Sequence, residues 1–320
     1  MKNNNIVMLT KPKRSLLKRI IRCLPLYLMM LPGFAYLFVN NYIPMAGIVI
    51  AFKKMDYSLG KWAIFKSPWV GLDNFSFLFK TDAAWLITKN TVGYNIIFII
   101  TSLIINIGVA ILLNEIWSKS AKRIYQVIIL IPVMLSMVIV SYVVFGFLSS
   151  DSGFINRGIL EPLGFAPISW YSEPKYWRFI IPFVKNWKEF GYGTIIYFAV
   201  LVGVDKGLYE AAAMDGATRL KQMIHISLPA LKPTAIILTL LSISKLFNSD
   251  FGLFYQIPKN YGPLFPATQT IDTYVYRALV THNDVAMSSA ANFYQAIVGF
   301  ALVLAFNLFV RKLDKDSSLF

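Results

Sequence analysis

Two groups of ionisable and amide side chains stand inside otherwise apolar sequence. Charge there is expensive and marks a bundle interior or a watery cavity. Lys185, Asn186, Trp187, Lys188 and Glu189 form the first group, just ahead of Gly191 and Gly193. Lys185 and Glu189 lie four residues apart, so they share a helical face and can pair. Lys245, Asn248 and Asp250 form the second group. Both groups suit a path for a polyhydroxylated solute, with polar groups on hydroxyls and an aromatic face against a ring. Snorkelling of Lys185, Lys188 and Asp250 to the outer membrane interface is the other reading. Bond-making chemistry finds no residues. The only Gly-Lys pair, Gly60 and Lys61, is followed by Trp62, so no phosphate loop exists. His225, His282 and Cys23 make no metal-ligand cluster, and no nucleophile elbow or paired-carboxylate motif occurs. No catalytic residue, metal or cofactor is expected in this chain.

The elements that must position these groups follow from composition. Of 320 residues, 57% are hydrophobic and only 15% are charged, with a mean hydropathy of +0.58. A soluble surface cannot be covered with so few charges, which excludes a soluble enzyme, a disordered tail and a collagen-like fibre. An all-α, polytopic membrane protein remains. Its net charge of +15, from 31 basic and 16 acidic residues, fits basic cytoplasmic loops against anionic lipid rather than nucleic acid. Cys23 alone permits no internal disulfide; it is a buried thiol or an acylation site. About six spans are expected, near 24–48, 90–114, 124–148, 178–204, 232–254 and 286–310, within a transmembrane domain of 23–311. The first apolar run is too long for a cleavable signal peptide. Lys2, Lys11, Lys13, Arg14, Lys18, Arg19 and Arg22 precede it without an acid, so a basic arm (1–22) and a short tail (312–320) both face the cytoplasm. The outer loop holding Lys53, Lys54, Lys61, Lys66 and Lys80 is also basic.

One segment is more specific. In the cytoplasmic loop 205–231, Leu208 to Met214 predicts a short helix with an alanine face. Asp215 and Gly216 predict a turn, Ala217 to Ile226 a second short helix, and Pro229 and Pro233 the return to the membrane. Small residues allow another surface to approach closely; a hairpin packed on its own bundle is the plainer reading. Glu210, Ala211 and Ala212 are followed after three residues by Gly216, and after nine more by Ile226, Leu228 and Pro229. This spacing resembles the EAA motif of permease subunits of binding-protein-dependent ABC importers. Leu31 to Gly33, Tyr42 to Met45, Ala51 with Phe52, Ser67 to Leu72, Asn74 with Phe75, Phe251 to Gln256 and Ile271 to Arg277 are similar to the carbohydrate branch that handles oligosaccharides from complex polysaccharides.

The resemblance implies a type I importer permease fold in a bacterial plasma membrane. Glu210, Ala211, Ala212, Asp215, Gly216, Ile226, Leu228 and Pro229 would then couple to a separate ATPase subunit. It also implies a second, similar permease subunit (a heterodimer), two ATPase subunits that bind ATP and Mg, and an extracytoplasmic sugar-binding protein. The basic outer loop with Lys185, Lys188 and Lys245 points to an acidic, uronate-containing oligosaccharide; interfacial lysines beside a neutral sugar are the alternative. An ion- or proton-coupled secondary carrier using Glu189 and Asp250 is the rival class, and it predicts inverted repeats that the sequence does not display. A membrane scaffold leaves the EAA spacing unexplained.

Overall fold

Inside a bilayer only a helix satisfies every backbone N–H and C=O within its own segment, so long apolar runs fold as helices. The structure, a computed structural model, describes residues 16–76, 82–281 and 283–313. Lys2, Lys11, Lys13, Arg14, Lys80 and His282, most of the 1–22 arm and the tail beyond Leu313 lie outside the described residues. The chain separates into two compact units, one ending at Val49 and one beginning at Ile50. The first unit is built on α1 (Leu16–Leu37).

The second unit holds α2 (Ala83–Glu115), α3 (Lys119–Met134), α4 (Met137–Leu148), α5 (Pro174–Val202) and α6 (Lys206–Met214), followed by α7 (Arg219–Ile243), α8 (Ile271–Val280) and α9 (Val285–Leu313). No strand occurs among the described residues; Lys53 and Trp69 form an isolated bridge. Cys23–Phe52, Ala83–Glu115, Arg219–Ile243 and Val285–Leu308 are long and apolar enough to cross a membrane. At 29 residues α5 has the length, and its composition, with Lys185, Lys188 and Glu189, keeps it out of that set. Many large apolar side chains stay exposed on the chain, among them Ile100, Ile104, Leu112, Phe300 and Leu308. This is a multi-pass membrane protein.

Two expected spans differ from the structure. The segment 124–148 is not one helix: α3 and α4 meet at a 96° bend. Pro132 sits in the last turn of α3, and Ser136 caps α4 by accepting from the Ile139 N–H at 3.3 Å. The segment 232–254 is also not one helix. It stops at Ile243, and its front end extends back to Arg219, so Pro229 and Pro233 do not mark its start. A wide turn over Met223–Ser227, where the Leu228 N–H reaches the Met223 carbonyl, makes room for Pro229.

Three clusters make the core. Trp177, Ile181 and Val184 of α5 pack with Tyr94 and Phe98 of α2 and with Leu253, Phe254 and Ile257. Ile87 packs with Phe247, Ile271, Ala290 and Ala291. Ala110, Leu113, Tyr197, Leu201 and Leu231 join α2, α5 and α7. The described residues of the connections after Phe52 and after Leu148 are held by hydrogen bonds. Lys53 donates to the Ile64 and Phe65 carbonyls at 2.9 and 2.8 Å, and buried Asn156 bonds to Ile168 and to the Trp170 ring N–H.

Candidate functional site

The hairpin between α6 and α7 is shaped by its caps. Asp205 accepts from the Gly207 N–H at 2.9 Å and starts α6; Thr218 starts α7. At the turn, Gly216 takes φ +78°. Its N–H bonds to the Ala213 carbonyl at 3.0 Å, and the Ala217 N–H bonds to Ala212 at 2.8 Å. This is the paired closure that ends a helix on a left-handed residue. Tyr209 and Ser227 hydroxyls at 2.9 Å, with the Gln222 amide at 3.4 Å from the Tyr209 carbonyl, lock the two arms. The outer face carries exposed Glu210, Ala211, Asp215, Gly216, Leu228 and Pro229, with Ala212 and Ile226 half-buried. Leu208, Met214 and Leu220 are also exposed, Met214 at 89%. The hairpin therefore exposes apolar side chains among charged ones. Arg219 ties the hairpin to the α2–α3 connection through Glu115 at 3.6 Å and the Trp117 ring at 5.9 Å.

The two intramembrane groups come together. Lys185 pairs with Glu189 one turn on, and with Asp250 at 3.3 Å; its ammonium also lies 5.9 Å from the Phe98 ring. Lys185 and Asp250 are half-buried, while Glu189 is exposed. Asp250 in turn accepts from the Leu253 N–H at 3.1 Å. Asn186 exchanges hydrogen bonds with Thr101 of α2 at 2.9 and 3.2 Å. Lys188 turns away from that cluster and donates to the Val133 carbonyl at 3.2 Å, at the bend between α3 and α4. Trp187, partly buried, packs against the first core cluster. Lys245 and Asn248 are exposed, and Lys245 makes no ion pair among the described residues.

Between α7 and Asp250 the backbone leaves the helix, and here the structure adds residues that the sequence pattern did not single out. The Asn95 amide donates to the Leu246 and Asn248 carbonyls at 2.9 and 2.8 Å. Gln295 donates to the Phe247 carbonyl at 3.0 Å and to the Asn248 side chain at 2.9 Å. Asp272, in the first turn of α8, accepts from both the N–H and the hydroxyl of Ser249 at 2.6 Å. The signal available for Asn95 and Gln295 was an amide within a charge-free apolar run. Among the described residues no group of three or more His, Cys, Asp or Glu is placed to hold a metal ion. The assembled chemistry is that of hydrogen bonds and one branched ion pair.

A family model described as "Binding-protein-dependent transport system inner membrane component" matches residues 100–316. The polygalacturonan/rhamnogalacturonan transport system permease protein YteP of Bacillus subtilis is 36% identical, over 97% of this chain and 95% of that protein. Protein LplB of the same organism is 35% identical, over 91% of this chain and 90% of that protein. A crystal structure of a bacterial ABC transporter involved in the import of the acidic polysaccharide alginate superposes with a TM-score of 0.83 at 29% identity, covering 93% of this chain and 99% of the matched chain. A crystal structure of the bacterial alginate transporter in complex with its alginate pentasaccharide-bound periplasmic protein gives 0.82 at 28% identity.

Proposed function

We propose, from the premise that this chain belongs to the binding-protein-dependent transport system inner membrane component family, that it is the permease subunit of an ATP-driven importer for uronate-bearing oligosaccharides. The observation that carries the substrate class is near full-length similarity to two acidic-polysaccharide systems, a polygalacturonan/rhamnogalacturonan permease and the alginate importer. The subunit is non-catalytic. It pairs with a second, similar permease and two ATPase subunits, which bind ATP and Mg, and an extracytoplasmic binding protein delivers the solute. It sits in the bacterial plasma membrane with both termini in the cytoplasm.

Each site has a part in this reading. The turn at Asp215 and Gly216 enters a cleft of the ATPase; Glu210 meets a basic group there, and Ala211 and Ala212 permit the close fit. Ile226, Leu228 and Pro229 lie at the wide turn within α7, where its first turns, part of the hairpin, pass into its long apolar part. ATP-driven closure of the ATPase pair moves the hairpin, and the spans alternate between outward and inward openings. Net import requires the solute to bind the two openings with different affinity.

The geometry also divides the labour among the charges. Lys185 faces two carboxylates, so Lys185, Glu189 and Asp250 form a set of donors and acceptors for sugar hydroxyls. Lys188 holds the bend through Val133. Exposed Lys245 is the cation in these groups open to a uronate carboxylate. The test is reconstitution with the partner subunits and the binding protein, followed by uptake and solute-stimulated ATP hydrolysis. Uronate-bearing oligosaccharides should be taken up, and Lys245→Gln should weaken their advantage over neutral ones. Uptake of neutral oligosaccharides without competition from uronate-bearing ones overturns the substrate class. Absence of any solute-stimulated ATP hydrolysis overturns the importer reading.

A further inference from the structure

An unbroken helix over Ser244 to Asp250 would satisfy its own backbone, with each N–H on the carbonyl four residues earlier. Here the Leu246, Phe247 and Asn248 carbonyls and the Ser249 N–H are served by side chains of three other elements. Asn95 comes from α2, Gln295 from α9 and Asp272 from α8. Gln295 is buried at 9% exposure, and its amide also reaches the Asp272 carboxylate at 3.3 Å, so the three supports form one network. The Ser249 hydroxyl adds bonds to Asp272 at 2.6 Å and to Thr270 at 2.8 Å. Non-helical backbone at membrane depth persists only where protein buries it or where it lines a watery cavity. A network that serves four successive backbone groups holds one particular departure from the helix. The residue delivered at its end is Asp250, which meets Lys185.

We infer that Asn95, Asp272 and Gln295 are positioning residues for the solute path: they hold the 244–250 break in the one geometry that sets Asp250 against Lys185. This rests on the reading of the chain as an importer permease. The network acts on the solute through Asp250 and Lys185, and none of its three members needs to touch the solute.

The experiment is a double-mutant cycle in the reconstituted transporter. Gln295→Leu and, as a milder change, Ser249→Ala are made alone and together with Lys185→Ala. Co-purification of all subunits checks assembly. Lys185→Ala alone should cut solute-stimulated uptake about tenfold, and Gln295→Leu should do likewise, because either change leaves polar groups unpaired. Ser249→Ala should lose less. In the Gln295→Leu background Lys185→Ala should then cost less than about a further twofold, since the pair it breaks is already displaced, and in the Ser249→Ala background it should cost less than in the parent. Losses that multiply independently overturn the inference, as do variants that assemble and import like the parent. A Lys185→Ala transporter with full uptake also overturns it, and so does failure of both network variants to assemble, which assigns the network to folding alone. Failure of the importer reading is separate, because the parent assembly would then show no solute-stimulated uptake at all.

Discussion

Substituting Gly216 separates two effects that a single variant would confound. The residue takes φ +78°, and a Cβ built on it meets no atom within 4 Å. The chain's own cost of adding a side chain is therefore backbone strain, about 1 kcal/mol for a residue such as Ala. With open space around the Cβ, this strain should be nearly the same for Ala and Trp, and smaller for Asn, which tolerates the left-handed region. The two closing bonds, from the Gly216 and Ala217 N–H groups, report it directly. Amide exchange at residues 216 and 217 in the chain without partners should quicken about fivefold for Gly216→Ala and Gly216→Trp alike. Docking should instead depend on volume. Co-purification of the ATPase should survive Gly216→Asn and Gly216→Ala and fail for Gly216→Trp, with uptake following retention. Exchange in the Trp variant far beyond that in the Ala variant would show that the turn packs against this chain. Equal retention of the ATPase by the Ala and Trp variants would remove the turn from the docking surface.

Helix packing and pH give further outcomes. A Cβ at Gly191 would lie 1.9 Å from the Ile129 carbonyl oxygen of α3, so Gly191→Ala should destabilise the chain by about 1–2 kcal/mol despite its better helix propensity. Gly193→Ala, which meets the movable Asn106 side chain at 2.2 Å, should lose less; thermal unfolding of the two variants in one detergent compares them. In the connection after Phe52, hydrogen bonds from the Ser58 hydroxyl and N–H hold the Asp56 carboxyl below its ordinary pKa. The stability this adds to the Tyr57–Trp62 turns is present above the ordinary aspartate pKa and is lost as pH falls through the lowered value. Amide exchange at Ser58, corrected for intrinsic rate, should lose protection in that acid window, and Asp56→Asn should flatten the dependence.

Parts of this architecture were legible in the residues. Charge-free runs announce helices such as α2 and α9, because nothing else of that length and polarity closes its own backbone bonds in lipid. Asp215 and Gly216 announce a turn, because a left-handed end to α6 favours glycine. The 96° bend was hidden: Pro132 and Ser136 also suit a mildly kinked single span, and the Lys188 bond that supports the bend crosses 55 residues of sequence. Pro229 and Pro233 read as helix breaks, yet the wide turn at Met223–Ser227 carries α7 through both. The supports of the 244–250 break were hidden for a similar reason. Asn95 lies 153 residues from Asn248, and periodicity reports only what neighbours along the chain share.

The length of α7 has a mechanical consequence. Its 25 residues make a rod of about 37 Å, with the Gly216 turn at one end and the 244–250 break at the other. Its hydrogen bonds run along its axis, so the rod shortens only by breaking them. Thrust along the axis therefore meets a stiffer path than a sideways push. Pro229 and Pro233 remove two of those bonds without shortening the rod, which makes sideways flexure the softer motion. Such a strut would pass on an axial stroke more readily than a sideways one. On the function proposed above, an ATPase pulling on the hairpin would move the 244–250 break mainly by the axial part of its stroke.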